Sequence, residues 1–222
     1  SRPAAGSSER AAVVTLYRPG RDVFLASALD VAPKLLGAVI RHETEEGAVA
    51  VRVTEVEAYI GDGVDPGSHS FRGRTKRNAV MYGGPGHLYT YFTYGMHVCA
   101  NVVCSPEGVS SALLLRAGEV VEGEELAERR RSGPSGRAVP ARDLARGPAR
   151  LVVATGILLS ENGSDLFAPP FDLLLPAVQP DYETGPRTGV SGAGGSVTFP
   201  WRFWIPGDPT VSPYKRHPKS HD

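Results

Sequence analysis

The sequence predicts one compact domain of the α/β class, α+β in type. A curved, mostly antiparallel β-sheet is flanked by helices and carries one protruding β-hairpin. Three observations lead there. The chain has 222 residues, 41% of them hydrophobic, enough to bury one core. Segments with strand-like alternation follow one another across short turns, as antiparallel neighbours do. Helical stretches fall between them, each with its own start or stop residues.

In chain order, residues 1 to 11 read as a flexible tail, and residues 12 to 214 as the single domain. A short helix is predicted over 30 to 36, with Asp30 as N-cap, Pro33 in the first turn and Gly37 as terminator. Strands follow at 38 to 43 and 48 to 59 around the Glu45-Glu46-Gly47 turn. By the two-residue period, Val49, Val51 and Val53 share a face that continues as Glu55, Glu57 and Tyr59. Such a face either enters a cleft or ends in solvent, and the pattern leaves both open. Residues 61 to 87, rich in Gly, Pro, Asp and Arg, read as a long loop or short helical turns. Two strands, 87 to 94 and 97 to 104, are joined around Gly95, and 111 to 117 is a third. A helix is predicted over 119 to 131, acidic first and basic last as the helix dipole favours. The stretch 132 to 141 reads as a linker-like loop open to disorder. Gly147-Pro148 opens a further helix that Gly156 ends. Strand-like pieces at 186 to 191 and 200 to 205 precede a C-terminal tail at 215 to 222.

The composition excludes several classes. Lys plus Arg equals Asp plus Glu at 24 each, so no overall basic footprint supports nucleic-acid binding. Two cysteines are too few for a disulfide scaffold. The first ten residues have no apolar core of the signal-peptide kind, and no apolar run nears the roughly 20 residues of a membrane helix. A soluble protein without membrane association, in a reducing compartment, is the resulting expectation.

The chemistry concentrates between residues 51 and 116. Glu55 and Glu57 end a strand. Four of the eight tyrosines (Tyr82, Tyr89, Tyr91 and Tyr94) fall within 13 positions. Arg72, Arg74, Lys76 and Arg77 form a local basic cluster despite the neutral total. A carboxylate can activate water, flat rings can hold a base, and guanidinium groups can grip phosphates. Each group also has a plain structural use, so composition alone supports a nucleotide-binding cleft and no more. His97, Cys99 and Cys104 fit none of the common zinc spacings, and Cys99 reads as a small core residue. Neither a metal nor another cofactor is expected.

Read as ordered motifs, TEVEAYIG (54–61), SHSFRGRTKRNAVMYGGPGHLYTYFTYGMHVCANVV (68–103), LLLRAGEVVEG (113–123) and ARGPARLVVATGI (145–157) resemble the 3-methyladenine DNA glycosylases of the alkyladenine DNA glycosylase family. RTGV (187–190) and PWRFWIPGDPTVS (200–212) fit the family's C-terminal strands. The similarity runs from about Leu25 to Ser212 in the family's order and spacing.

The resemblance implies that Glu57 is the general base, with Arg116 as the cation that favours its ionised form. It implies that Tyr59, His69 and Tyr91 sandwich a flipped base, where rings favour a cationic purine by about 1–2 kcal/mol when desolvated. Asn101 matches the residue that crowds the exocyclic amine of guanine. Leu114 and the Thr188 backbone line the pocket. Tyr94 matches the wedge that fills the gap left by flipping, flanked by Met96. Arg72, Arg74, Lys76 and Arg77 would then contact DNA. The partner implied is double-stranded DNA with alkylated or deaminated purines, acted on by a monomer in the cytoplasm, at the nucleoid of a bacterium or in the nucleus of a eukaryote. Hypoxanthine and ethenoadenine stay open as substrates beside methylated purines. Lys76 is the sole lysine of the central block, so water rather than an amine is the expected nucleophile. The chain departs from the family pattern at Lys76, Thr93 and Thr188.

Overall fold

A computed structural model describes residues 14–222. The tail expected over residues 1 to 11 lies outside the described residues. The elements in order are β1 (Leu16–Tyr17), α1 (Ala28–Leu35), β2 (Val39–Thr44), β3 (Gly47–Ile60), β4 (Leu88–Thr93), β5 (His97–Val103) and β6 (Ser111–Glu122). They continue with α2 (Glu124–Ser132), β7 (Ala145–Arg146), α3 (Pro148–Thr155), β8 (Phe171–Pro176), β9 (Glu183–Gly185) and β10 (Arg202–Trp204). The strands form one open antiparallel sheet in the order β1-β8-β2-β3-β6-β5-β4, with β7 on β6 and with β10 between β3 and β9. The predicted class holds: the described residues form one α/β domain with a largely antiparallel sheet and three α-helices. No helix among the described residues is long and apolar enough to cross a membrane.

β3 is the organising strand. Its first half pairs with β2 up to Arg52, and β10 takes over that edge from Glu55 to Glu57, while β6 runs along the other edge. Three register shifts interrupt the β3–β6 ladder, one near its start, between Ala50 and Val51, and two beside the site. Thr54 is an extra residue on β3, and Arg116 is an extra residue on β6. The expected continuous face of β3 is therefore corrected. Val49, Val51 and Val53 lie in the core, but after the bulge the core side chains are Val56 and Ala58. An extra residue reverses the alternation, so Glu55, Glu57 and Tyr59 leave the valine face. They join the opposite face, where Arg52 and Thr54 already meet Asp208 and Thr210.

α1 covers the core with Ala28, Val31, Ala32 and Leu35. Its N-cap is Ser27 rather than the expected Asp30. The Ser27 carbonyl accepts from Val31 N (3.0 Å) and its hydroxyl accepts from Leu29 N (3.4 Å). Asp30 sits inside the first turn, where its charge suits the dipole. Gly37, at φ 83°, does follow the helix as expected. α3 runs from Pro148 to Thr155 between Gly147 and Gly156, also as expected.

Two further expectations fail. Residues 119 to 122 are strand, not helix. Glu119 and Val120 pair with Arg52 and Val51 on β3, so long-range pairing outweighs the local charge pattern, and α2 begins only after Gly123. Residues 186 to 191 are not a strand: Thr188 N turns to the Glu57 carboxylate and Gly189 N to the Lys215 carbonyl, not to a neighbouring strand.

Candidate active site

A cavity of about 430 Å³ opens where β3, β4, β5 and β6 meet the segment 188 to 191 and the start of α3. It gathers Glu57, Tyr59, His69, Tyr91, Tyr94, Asn101, Leu114, Arg116 and Thr188 from six separate stretches of sequence. The Thr54 bulge turns Glu57 toward this side, and the Arg116 bulge does the same from the neighbouring strand. Cross-strand pairing sets Leu114 opposite both Glu57 and Asn101.

Glu57 is fully buried and its carboxylate meets two hydrogen-bond donors and one more distant cation. The Tyr59 hydroxyl donates to Oε1 at 2.8 Å, Thr188 N donates to Oε2 at 2.7 Å, and Arg116 Nη1 stands 3.7 Å from Oε1. A carboxylate offers about four acceptor directions, so capacity remains for a water in the cavity. The Tyr59 phenol is held protonated, well above its ordinary range, first by burial and then by the Glu57 charge. Burial pulls the Arg116 guanidinium down, but Glu57 and Glu55 more than offset this, so its net shift is upward.

His69, Tyr89 and Tyr91 form one aromatic group. The His69 ring meets Tyr91 edge-on at 4.3 Å, and its Nδ1 lies 3.3 Å from the Tyr89 hydroxyl. Burial lowers the His69 pKa, and Arg77 lowers it further. Burial likewise raises Tyr89 to about 12 and Tyr91 higher still, keeping both neutral. Tyr59 packs separately, its ring 4.5 Å from the Arg187 guanidinium carbon. Asn101 is buried and donates to the Tyr89 carbonyl at 3.2 Å.

The hairpin between β4 and β5 turns on Tyr94 and Gly95, both at positive φ, and Met96 N donates to the Thr93 carbonyl (3.1 Å). Tyr94 is 80% exposed and Met96 67% exposed at this tip. Tyr94 borders the cavity and Met96 does not. Arg72, Arg74, Lys76 and Arg77 are exposed outside it. Arg77 donates to the Phe92 carbonyl (3.0 Å) at the base of the hairpin and borders a smaller hollow behind His69.

Several residues of the site carry no local signal in the sequence. Arg187 is fully buried and bonds both oxygens of buried Asp65, at 2.6 and 2.7 Å. Its Nη1 also donates to the Ala58 carbonyl (3.0 Å) and its Nη2 to the Gly194 carbonyl (2.8 Å). This clamp sets the neighbouring Thr188 N–H against Glu57. Cys99, expected as a plain core residue, is buried but faces the cavity, and burial raises its thiol pKa. Glu55 is held by Ser212, 157 residues away in the chain.

Comparison with known proteins agrees with this architecture. The family described as methylpurine-DNA glycosylase matches residues 22–209. A protein of Leifsonia xyli subsp. xyli is 74% identical over 208 residues, covering 94% of this chain and 98% of the relative. One from Streptomyces avermitilis is 54% identical over 202 residues (89% and 92%), and one from Corynebacterium efficiens 45% over 197 residues (89% and 97%). All three carry the provisional name 3-methyladenine DNA glycosylase.

Proposed function

The chain belongs to the methylpurine-DNA glycosylase family, enzymes that hydrolyse N-glycosyl bonds, and on that premise we propose that its cavity releases alkylated purines from duplex DNA with Glu57 as the base. One observation carries this reading. A buried carboxylate with two hydrogen-bond donors and a nearby arginine lies in a cavity walled by aromatic rings, and an exposed tyrosine borders that cavity at the tip of a hairpin.

Tyr94 enters the duplex as the damaged nucleotide swings out, offsetting unstacking that costs a few kcal/mol. The flipped base rests between Tyr59 on one side and His69 with Tyr91 on the other. Neutral electron-rich rings favour a purine made cationic by alkylation. Asn101, anchored to Tyr89, stands against the exocyclic amine of undamaged guanine. Glu57 takes a proton from water as the water oxygen bonds to C1′ of the sugar. The C1′–N bond breaks, and its electron pair neutralises the departing base. Carboxylate charge beside the sugar also stabilises its oxocarbenium character. Exposed Arg72, Arg74, Lys76 and Arg77, with Met96, grip the DNA around the site. The protein acts in the cytoplasm as a monomer, with 3-methyladenine and 7-methylguanine as substrates.

The test is product analysis on methylated duplex DNA. Free methylpurine should appear together with an abasic strand that stays intact until treated with alkali. Borohydride should trap no covalent adduct, because water and not an amine attacks. Binding without any base release would instead make the chain a damaged-DNA-binding module.

A further inference from the structure

Glu55 is a second carboxylate beside the base, fully buried and without a part in the chemistry above. It accepts from Ser212 N (3.0 Å) and from the Ser212 hydroxyl, and Arg202 Nη1 lies 3.4 Å from its other oxygen. Arg202 is itself fixed by the Pro186 carbonyl (2.8 Å) and packs over Trp204 at 4.1 Å. Arg116 stands between the two acids. Its Nε is 3.5 Å from Glu55 and its Nη1 is 3.7 Å from Glu57, while Nε donates to Ser212 Oγ at 3.3 Å. Charge-assisted N–H···O bonds close to about 2.7–2.9 Å, so Arg116 is full partner to neither carboxylate.

The geometry points to Glu55 as a positioning residue that shares Arg116 with Glu57 and so keeps Glu57 an effective base. The inference rests on the glycosylase reading. Charged groups reach Glu55 from every element around it: Glu57 along β3, Arg116 from β6 and Arg202 from β10, with neutral Ser212 closing the fourth side. Tyr59 and Arg187 act on Glu57 from beyond, and Cys99 faces both Arg116 and Glu57. If Glu55 loses its charge, Arg116 is free to pair fully with Glu57, and a like charge beside Glu57 disappears. Both changes favour ionised Glu57 and weaken it as a proton acceptor. They also leave surplus positive charge where a cationic transition state must form. Burial raises the Glu55 pKa against the opposing pull of Arg116 and Ser212, as expected of a carboxylate kept buried for its position.

The test is single-turnover release of 3-methyladenine from duplex DNA as a function of pH. Glu55→Gln should lower the maximal rate on the order of tenfold and move the acid limb down by about one pH unit, with the DNA dissociation constant unchanged. Glu55→Asp, which keeps the charge, should leave the limb in place. Arg202→Gln removes a cation from the far side of Glu55, lets Glu55 draw Arg116 toward itself, and should move the limb up. A limb that is unmoved in folded Glu55→Gln, or displaced equally in Glu55→Asp, would overturn the inference. So would a downward limb in Arg202→Gln, which stands as the test should Glu55→Gln fail to fold. Release by the wild type that Glu57→Gln abolishes upholds the glycosylase reading whatever the Glu55 variants do. A wild type that releases nothing overturns both.

Discussion

Burial and the Arg77 guanidinium both lower the pKa of His69, so its imidazole is neutral at neutral pH. A charged His69 would repel a cationic purine, whereas a neutral ring attracts it. Arg77→Ala removes one of the two causes. The His69 ring, followed by NMR, should then titrate at higher pH, moving toward 6.5 without reaching it because burial persists. A midpoint that stays fixed or falls would contradict this electrostatic assignment. Residue-scale chemistry was readable in the sequence only where it is local. Glu57 and Tyr59 stand two apart on one strand, and the hydrogen bond between them follows from that spacing. The donor on the other carboxylate oxygen, Thr188 N, comes from 131 residues further on and leaves no mark near Glu57.

The β4–β5 hairpin carries a conflict between backbone and side chain. Tyr94 takes φ 52°, a region that favours Gly and Asn, and it precedes Gly95 at φ 65°. Positive φ at both central positions of the Thr93–Met96 turn is best met by Asn-Gly. Tyr94→Asn should therefore leave Tm unchanged or higher while activity on duplex DNA falls sharply. Tyr94→Ala should harm release from duplex far more than from single strands, since only a duplex needs a wedge. Equal losses on both substrates would sink that role. Hairpins and α3 were legible because their turn residues, Gly47, Gly95, Gly147 and Gly156, lie next to the elements they shape. The Thr54 bulge was not, since an extra residue in a ladder is defined by its partner strand. The same reason turned 119 to 122 from expected helix to strand, where Val120 answers Val51 across the sheet.

At the scale of the molecule, the site depends on contacts that join distant parts of the chain. Asp65 and Arg187 are both fully buried and tie the loop after β3 to the segment that supports Glu57. Removing one partner of a buried ion pair leaves the other uncompensated and costs about 3–5 kcal/mol. Asp65→Ala should lose that much unfolding free energy in a urea titration, and a loss below roughly 1 kcal/mol would class the pair with exposed ones. The family and the class of fold were readable from ordered motifs, whereas this clamp and the Glu55–Ser212 contact close only in three dimensions. All of these contacts converge on one carboxylate. The most direct test is the single-turnover rate of 3-methyladenine release from one duplex by the wild type and by Glu57→Gln, with DNA binding measured alongside. Release should fall by about a thousandfold or more, as for loss of an essential general base, with binding retained. Equal rates for the two proteins would show that Glu57 is not the base.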